Sequence, residues 1–176
     1  MVDGNPIAFS TPTDEEFRFI RQYADGPLYA PITGYFSRRQ GMTGIENAMN
    51  QDLSGLSGSQ FFTRLMRTMT GEEPQGSSIE TTLNANVQAA TAEAMSEFKG
   101  AAVAFDPATG EILSMVSTPS YDPNLLSANN DTEVIANYSS LVDDPANPLF
   151  NRTIGGDLYH PGSTYKLLVA AAAIEN

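Results

Sequence analysis

The sequence has no cysteine and a single histidine, His160. Without cysteine there is no disulfide and no thiolate metal site, and one imidazole cannot build a multi-histidine zinc centre. The expectation is therefore no metal and no cofactor. Basic residues are also scarce: nine Lys and Arg stand against 21 Asp and Glu, a net charge of -12. They are scattered, with only Arg38-Arg39 and Arg64/Arg67 approaching clusters. Nucleic acid is excluded as a partner, because phosphate binding needs grouped cations, and so is polybasic attachment to an anionic lipid surface. No apolar run approaches the roughly 20 residues that span a bilayer, and no signal-peptide pattern opens the chain.

What is present suits a packed core. Of the 176 residues 41% are hydrophobic and 17% charged, which is not the composition of a disordered chain. The length fits one domain or two small ones. Met1-Val2-Asp3-Gly4 reads as an artificial beginning, and Ile174-Glu175-Asn176 as an artificial stop inside a helical run.

Residues 3–16 carry loop chemistry, and residues 17–23 alternate like a strand, with Phe17, Phe19 and Tyr23 on one face. Residues 26–31 contain Pro27 and Pro31 and are expected to be extended or turning. A short helix is expected over 44–53, with Ile45, Met49 and Leu53 at helical spacing. Ser59 is expected to cap a second helix to Met69 whose Phe62, Leu65, Met66 and Met69 share a core face. Residues 71–76 are the best candidate for a boundary. Residues 78–83 are β-prone, and Asn84 or Asn86 can cap a helix to about Phe98 with Val87, Ala90, Ala94 and Met95 inward.

The clearest local signal is a hairpin. Residues 100–105 form an apolar run without polar alternation, so both faces are expected to be buried. Asp106-Pro107-Ala108-Thr109-Gly110 is a turn, and 111–117 is the return strand. Residues 119–130 are expected as a surface loop, Asp131 as the cap of a helix to Val142, and 145–162 as irregular chain. From Ser163 the sequence is helical and almost wholly apolar. The fold class is α+β.

The chemistry concentrates in Tyr159-His160-Pro161-Gly162-Ser163-Thr164-Tyr165-Lys166. Residues i and i+3 of a helix lie on one face, so Ser163 Oγ and Lys166 Nζ can approach each other. A serine hydroxyl needs a base to become nucleophilic. A lysine between apolar walls is easier to deprotonate and can be that base. The helix start adds free N–H groups that can stabilise an oxyanion. An isolated Ser-x-x-Lys is weak, because two fixed residues in four recur by chance, and Ser163 as a cap with Lys166 as a solvated lysine is then the better reading. Here Pro161-Gly162 and the apolar helix beyond point to a deep site.

That block resembles the Pro-Gly-Ser-Thr-Phe-Lys box of penicillin-binding proteins, whose first motif is Ser-x-x-Lys. Gly100-Ala101-Ala102-Val103 with Asp106-Pro107-Ala108-Thr109-Gly110-Glu111-Ile112-Leu113, then Pro119-Ser120-Tyr121-Asp122-Pro123-Asn124 and Asn151-Arg152-Thr153, resemble the same family. Tyr29-Ala30-Pro31-Ile32-Thr33-Gly34-Tyr35-Phe36 with Gly44-Ile45-Glu46 resembles the N-terminal module of the class B members, in particular the penicillin-binding protein A subgroup. The resemblance implies a non-catalytic pedestal or dimerisation module over 1–76. Over 77–176 it implies the first part of a transpeptidase domain, with two of its five strands.

It also implies an enzyme, a D,D-transpeptidase that acylates its serine with D-Ala-D-Ala stem peptides of peptidoglycan and is trapped by β-lactam antibiotics. Ser163 is then the nucleophile and Lys166 the general base. The parent would be anchored in the cell membrane by an N-terminal helix and face the extracytoplasmic side. A homodimer and division or elongation proteins are the implied protein partners. The family's Lys-Thr-Gly motif is nowhere in the sequence. Ser127-Ala128-Asn129 spells the second motif but precedes Ser163 instead of following it. This chain alone is therefore expected to be inactive, and His160 to be incidental.

Two other readings remain open. One is a β-lactam sensor or β-lactamase-like acyl-serine protein, and the other a non-enzymatic pedestal or dimerisation module. Leu167, Leu168, Val169 and Ile174 are expected to be exposed, or covered by a second copy.

Overall fold

In the computed structural model, residues 1–14, 17–58, 66–67, 69–70, 76–155 and 160–175 are described. Strand β1 (Ala8–Pro12) pairs antiparallel with β2 (Phe19–Tyr23), Ala8 opposite Tyr23 and Pro12 opposite Phe19. The second strand falls where alternation places it. The first lies in a stretch expected as loop. Pro12 escapes the usual objection to proline in a sheet because Thr13 N donates to Arg18 O at 2.9 Å, which leaves the Pro12–Phe19 pair non-hydrogen-bonded and the proline nitrogen facing away from β2. Ala24 N donates to Ile7 O at 3.0 Å and extends the pairing beyond the ribbon.

Residues 26–31 are not extended but belong to helix α1 (Gly26–Thr33). Pro27 sits in the first turn, where its missing N–H has no intrahelical role. Pro31 lies inside the helix and cannot donate to Pro27 O, and the Ser120 hydroxyl takes that carbonyl at 2.7 Å instead. A partner 93 residues away thus removes the penalty that made helix look unfavourable.

A small ribbon of β3 (Phe36–Ser37) and β4 (Gly41–Met42) follows. The single helix expected over 44–53 is two, α2 (Gly44–Ala48) and α3 (Asn50–Leu53), broken at Met49. Their buried residue is Glu46, whereas Met49 is exposed. Glu46 Oε1 accepts from Arg21 Nε at 2.7 Å and from the Tyr23 hydroxyl at 3.1 Å, so the buried charge is paired. The helix expected from Ser59 lies mostly outside the described residues, as do residues 71–75 of the expected boundary. Met66 and Met69 are exposed rather than core.

Residues 78–83 run without forming a strand. Asn84 then caps α4 (Ala85–Met95), its side chain accepting from Asn86 N and Val87 N, each at 3.1 Å. The buried residue of α4 is Gln88; Ala90 and Ala94, expected inward, are exposed. The hairpin of β5 (Gly100–Phe105) and β6 (Ile112–Thr118) is present with a bulge at Ala104/Phe105. Its turn is ordered by Asp106, whose carboxylate accepts from Ala108 N at 2.7 Å.

Gln88 closes the outer edge of β6. Its Oε1 accepts from Met115 N at 2.9 Å and its Nε2 donates to Met115 O at 3.0 Å. Both main-chain groups of Met115 therefore point away from β5. Those of Val103, opposite it, point away from β6, on the open side of the sheet. Ala101, Val103 and Phe105 are exposed, so β5 is not buried on both faces. Ala, Val and Phe without polar alternation mark a strand meant for cover; they do not show where the cover is.

Residues 119–130, expected at the surface, contain α5 (Asn124–Ser127) with Leu126 fully buried and Pro123 nearly so. Helix α6 (Asp131–Asp143) begins where expected but is capped by Asn130, whose Oδ1 accepts from Thr132 N at 3.1 Å. Two apolar cores result. Val2, Ile7 and Tyr29 meet Leu83 in one, and Ala30 and Tyr35 meet Tyr121 and Leu126 in the other. Consecutive residues of α1, Tyr29 and Ala30, thus serve different cores, and both cores draw on both halves of the chain.

The Tyr35 and Tyr121 rings meet edge to face at 6.3 Å. Burial pushes the Tyr121 phenol up to about 12, against the lowering effect of its hydrogen bond with Thr43 and helped by neighbouring Tyr35. Burial raises Tyr23, Tyr29 and Tyr35 as well. The folded state keeps these phenols neutral while the unfolded chain ionises near pH 10. Their contribution is therefore complete below pH 10 and is lost as pH rises toward 12. Urea unfolding at stepped pH should show stability falling over that window, on the order of 2 kcal/mol from Tyr121 alone. A flat profile to pH 12 would contradict this.

Candidate functional site

The stretch that delivers the chain to Ser163 starts on β6. Ser117 Oγ donates to Phe150 O at 3.1 Å and accepts from Arg152 N at 3.0 Å, tying the return of the chain to the hairpin. Pro161 precedes Gly162, which takes a positive φ of 55°. Only glycine adopts that conformation without penalty, so Gly162 lets the chain swing directly into a helix. A 3₁₀ turn over Gly162–Thr164 runs into α7 (Tyr165–Glu175), and Thr164 N donates to Pro161 O at 3.2 Å.

Ser163 is therefore in the 3₁₀ turn and Lys166 in the first turn of α7. Residues i and i+3 nearly eclipse in 3₁₀ geometry, so the two side chains leave the backbone on the same side. No hydrogen bond joins them among the described residues. The amide of Ser163 lies where a helix start leaves N–H groups without intrahelical acceptors.

The described residues by themselves do not enclose the site. Ser163 and Lys166 are exposed, and α7 is exposed along its length: Leu167 is 72% and Ile174 88% accessible. Leu167, Leu168, Val169 and Ile174 are exposed in the single chain. A helix apolar all round belongs inside a larger body, and no described residue covers it.

His160 is exposed. Ser127 ends α5, buried, and its Oγ donates to Asn124 O at 3.3 Å; Asn129 O accepts from Arg38. Ser127 and Asn129 thus both have hydrogen-bond partners within the fold. A cleft of about 300 Å³ lies at Ile7, Arg21, Glu46 and Ile79, and none of its lining residues comes from 160–166. Sequence reasoning missed the inward polar residues around the approach: buried Gln88 and Arg152, and half-buried Asn124, whose amide pairs with both Tyr23 N and Tyr23 O at 2.9 and 3.0 Å. Nothing in composition separates such amides from solvated ones; only the carbonyls they meet do.

The family model described as the penicillin binding protein A dimerisation domain matches residues 1–79, and that of the penicillin binding protein transpeptidase domain matches 100–176. The chain belongs to the penicillin-binding proteins.

Among curated relatives of this penicillin-binding protein, peptidoglycan D,D-transpeptidase PbpA of Mycobacterium tuberculosis is 43% identical over 97% of the chain and 36% of its own length. Peptidoglycan D,D-transpeptidase MrdA of Escherichia coli K12 is 36% identical over 76% of the chain and 22% of its own length. The M. tuberculosis penicillin-binding protein A structure solved as a penicillin G acyl-enzyme complex superposes with a TM-score of 0.92 at 42% identity, covering 99% of this chain and 41% of that one. The imipenem acyl-enzyme complex gives 0.93. The chain thus spans about a third of its PbpA relatives. Its mixed helix and strand architecture matches their dimerisation region together with the opening part of the transpeptidase domain, in keeping with the α+β class expected.

Proposed function

We propose that this penicillin-binding protein is a peptidoglycan D,D-transpeptidase in which Ser163 is the nucleophile and Lys166 the general base. The observation that carries the reading is Pro161-Gly162-Ser163-Thr164-Tyr165-Lys166, turned into the start of α7 by the left-handed Gly162, within the stretch matched by the transpeptidase family. Ser163 Oγ attacks the carbonyl of the penultimate D-alanine of a stem peptide, and its proton passes to Lys166 Nζ. The terminal D-alanine leaves with a proton. The acyl group then moves to an amine on a neighbouring strand. A β-lactam ring opens at the same serine and leaves it acylated.

Residues 1–76 serve in this reading as the non-catalytic pedestal or dimerisation module, and 77–176 as the opening of the catalytic domain. The whole protein acts at the extracytoplasmic face of the cell membrane, held by a membrane anchor. Stem peptides and β-lactams are its ligands, a second copy its first protein partner, and division or elongation proteins its further ones. Among the described residues no helix is long and apolar enough to cross a membrane.

Intact mass after incubation with excess penicillin tests the reading. The full-length protein should gain one penicillin mass, and Ser163→Ala should gain none. An adduct that survives Ser163→Ala, or none on the folded full-length protein, would overturn it.

A further inference from the structure

Three carbonyls of α1 are taken by side chains from further along the sequence. Ser120 Oγ donates to Pro27 O at 2.7 Å, Gln88 Nε2 to Leu28 O at 2.8 Å, and Asn151 Nδ2 to Pro31 O at 2.6 Å. Asn151 uses both ends of its amide. While Nδ2 holds α1, Oδ1 accepts from Thr153 N at 3.1 Å and from the Thr153 hydroxyl at 2.5 Å. Its own carbonyl accepts from Gly155 N at 3.1 Å, closing a tight turn.

The next residue is stranger. Arg152 is only 8% exposed, and no carboxylate pairs with it among the described residues. Its guanidinium faces carbonyls: Nη2 donates to Ala146 O at 2.7 Å and Asn147 O at 3.2 Å, and Nη1 to Phe150 O at 3.3 Å. Nε is buried without a partner among the described residues. Taking a cation out of water to meet carbonyls is a poor source of stability. What the planar fork does supply is geometry. It sets the carbonyls of residues 146, 147 and 150 relative to one another, while Arg152 N and Phe150 O both close on Ser117 of β6.

Residues 151–155 are also the last described anchorage before the nucleophile box, because every described residue from 160 to 175 is exposed. We propose that Asn151 and Arg152 are positioning residues for Ser163, fastening the approach to the nucleophile box onto α1 through Asn151 and onto β6 through Arg152. The inference rests on the role proposed for Ser163. It goes further in making the serine's placement depend on a hydrogen bond to a carbonyl of the stretch matched as the dimerisation domain.

The test uses the full-length protein and two conservative variants. Asn151→Asp keeps the acceptor that Thr153 needs and deletes the donor to Pro31. Arg152→Lys keeps the charge and deletes the fork. Penicillin acylation is resolved into a binding constant and a first-order acylation rate, and amide exchange is followed by mass spectrometry. Each variant should lower the acylation rate about tenfold with the binding constant unchanged, since small misplacements of a reacting group act on the chemical step. Exchange at 160–166 should rise while β6 stays protected.

An acylation rate equal to wild type in the folded variants would overturn the proposal. So would a loss that merely tracks the unfolded fraction in a melting curve. Wild type and Ser163→Ala run alongside. If wild type is not acylated at Ser163, the functional reading fails by itself. The exchange data then decide alone whether 151–152 hold residues 160–166, and unchanged exchange there would overturn the positioning role.

Discussion

Lys166→Met in the full-length protein should slow acylation by penicillin by about 10²- to 10⁴-fold, the range that removing a general base produces. Methionine matches lysine in length and helix propensity, so α7 should persist and the loss should fall on proton transfer rather than on folding. Lys166→Arg should not rescue it, because a guanidinium stays protonated and cannot accept the serine proton. The measurement is the time course of a fluorescent penicillin adduct under single-turnover conditions. A loss below about tenfold would remove Lys166 from the base role, leaving it the ordinary solvated lysine that the motif alone also permits.

The second large effect concerns the approach of two helices. Gly34 (φ 65°) follows the C-terminus of α1, and Gly44 (φ 55°) opens α2. Their backbones are in contact. A methyl group on Gly44 would sit 2.5 Å from Gly34 N and 2.7 Å from Ile32 O, and one on Gly34 would overlap the Thr43 carbonyl. In each of these obstructions the obstacle is main chain, which has no rotamer to move away. Gly34→Ala and Gly44→Ala should each destabilise the fold by about 3 kcal/mol or more, adding left-handed strain to overpacking. Urea midpoints measure it, and a change under about 1 kcal/mol would show that the α1–α2 junction yields. Because α1 also receives Ser120 and Asn151, loosening it should reach residues in the stretch matched as the transpeptidase domain.

Where the sequence was legible, the deciding interactions are local. Asp106 and Gly110 make the β5–β6 turn through contacts within five residues. The α6 start is legible because an Asx residue before an apolar-periodic run is a cap, whether Asn130 or Asp131 supplies it. Where it misled, the deciding partner is distant. Pro27 and Pro31 argue for extended chain until Ser120 takes the freed carbonyl. Residues 119–130 look like a solvated loop until Leu126 enters the core with Tyr35 and Ala30. Gln88 counts as a surface residue in any hydropathy pattern, yet it is fully buried because Met115 and Leu28 satisfy its amide.

The sequence by itself determined the hairpin, the Ser-x-x-Lys spacing at a helix start and, through its motifs, the penicillin-binding family. These rest on bonds, turns and i to i+3 spacing that the order of residues dictates. Only the tertiary structure decided that α1 is a helix shared by two cores, that Gln88, Asn124 and Asn151 join the two halves through main-chain groups, and that Arg152 is buried among carbonyls. Hydrogen-bond satisfaction between residues 60 to 120 apart leaves no periodic trace in a sequence, because any Asn, Gln or Ser could supply it and only the packed fold selects which one does.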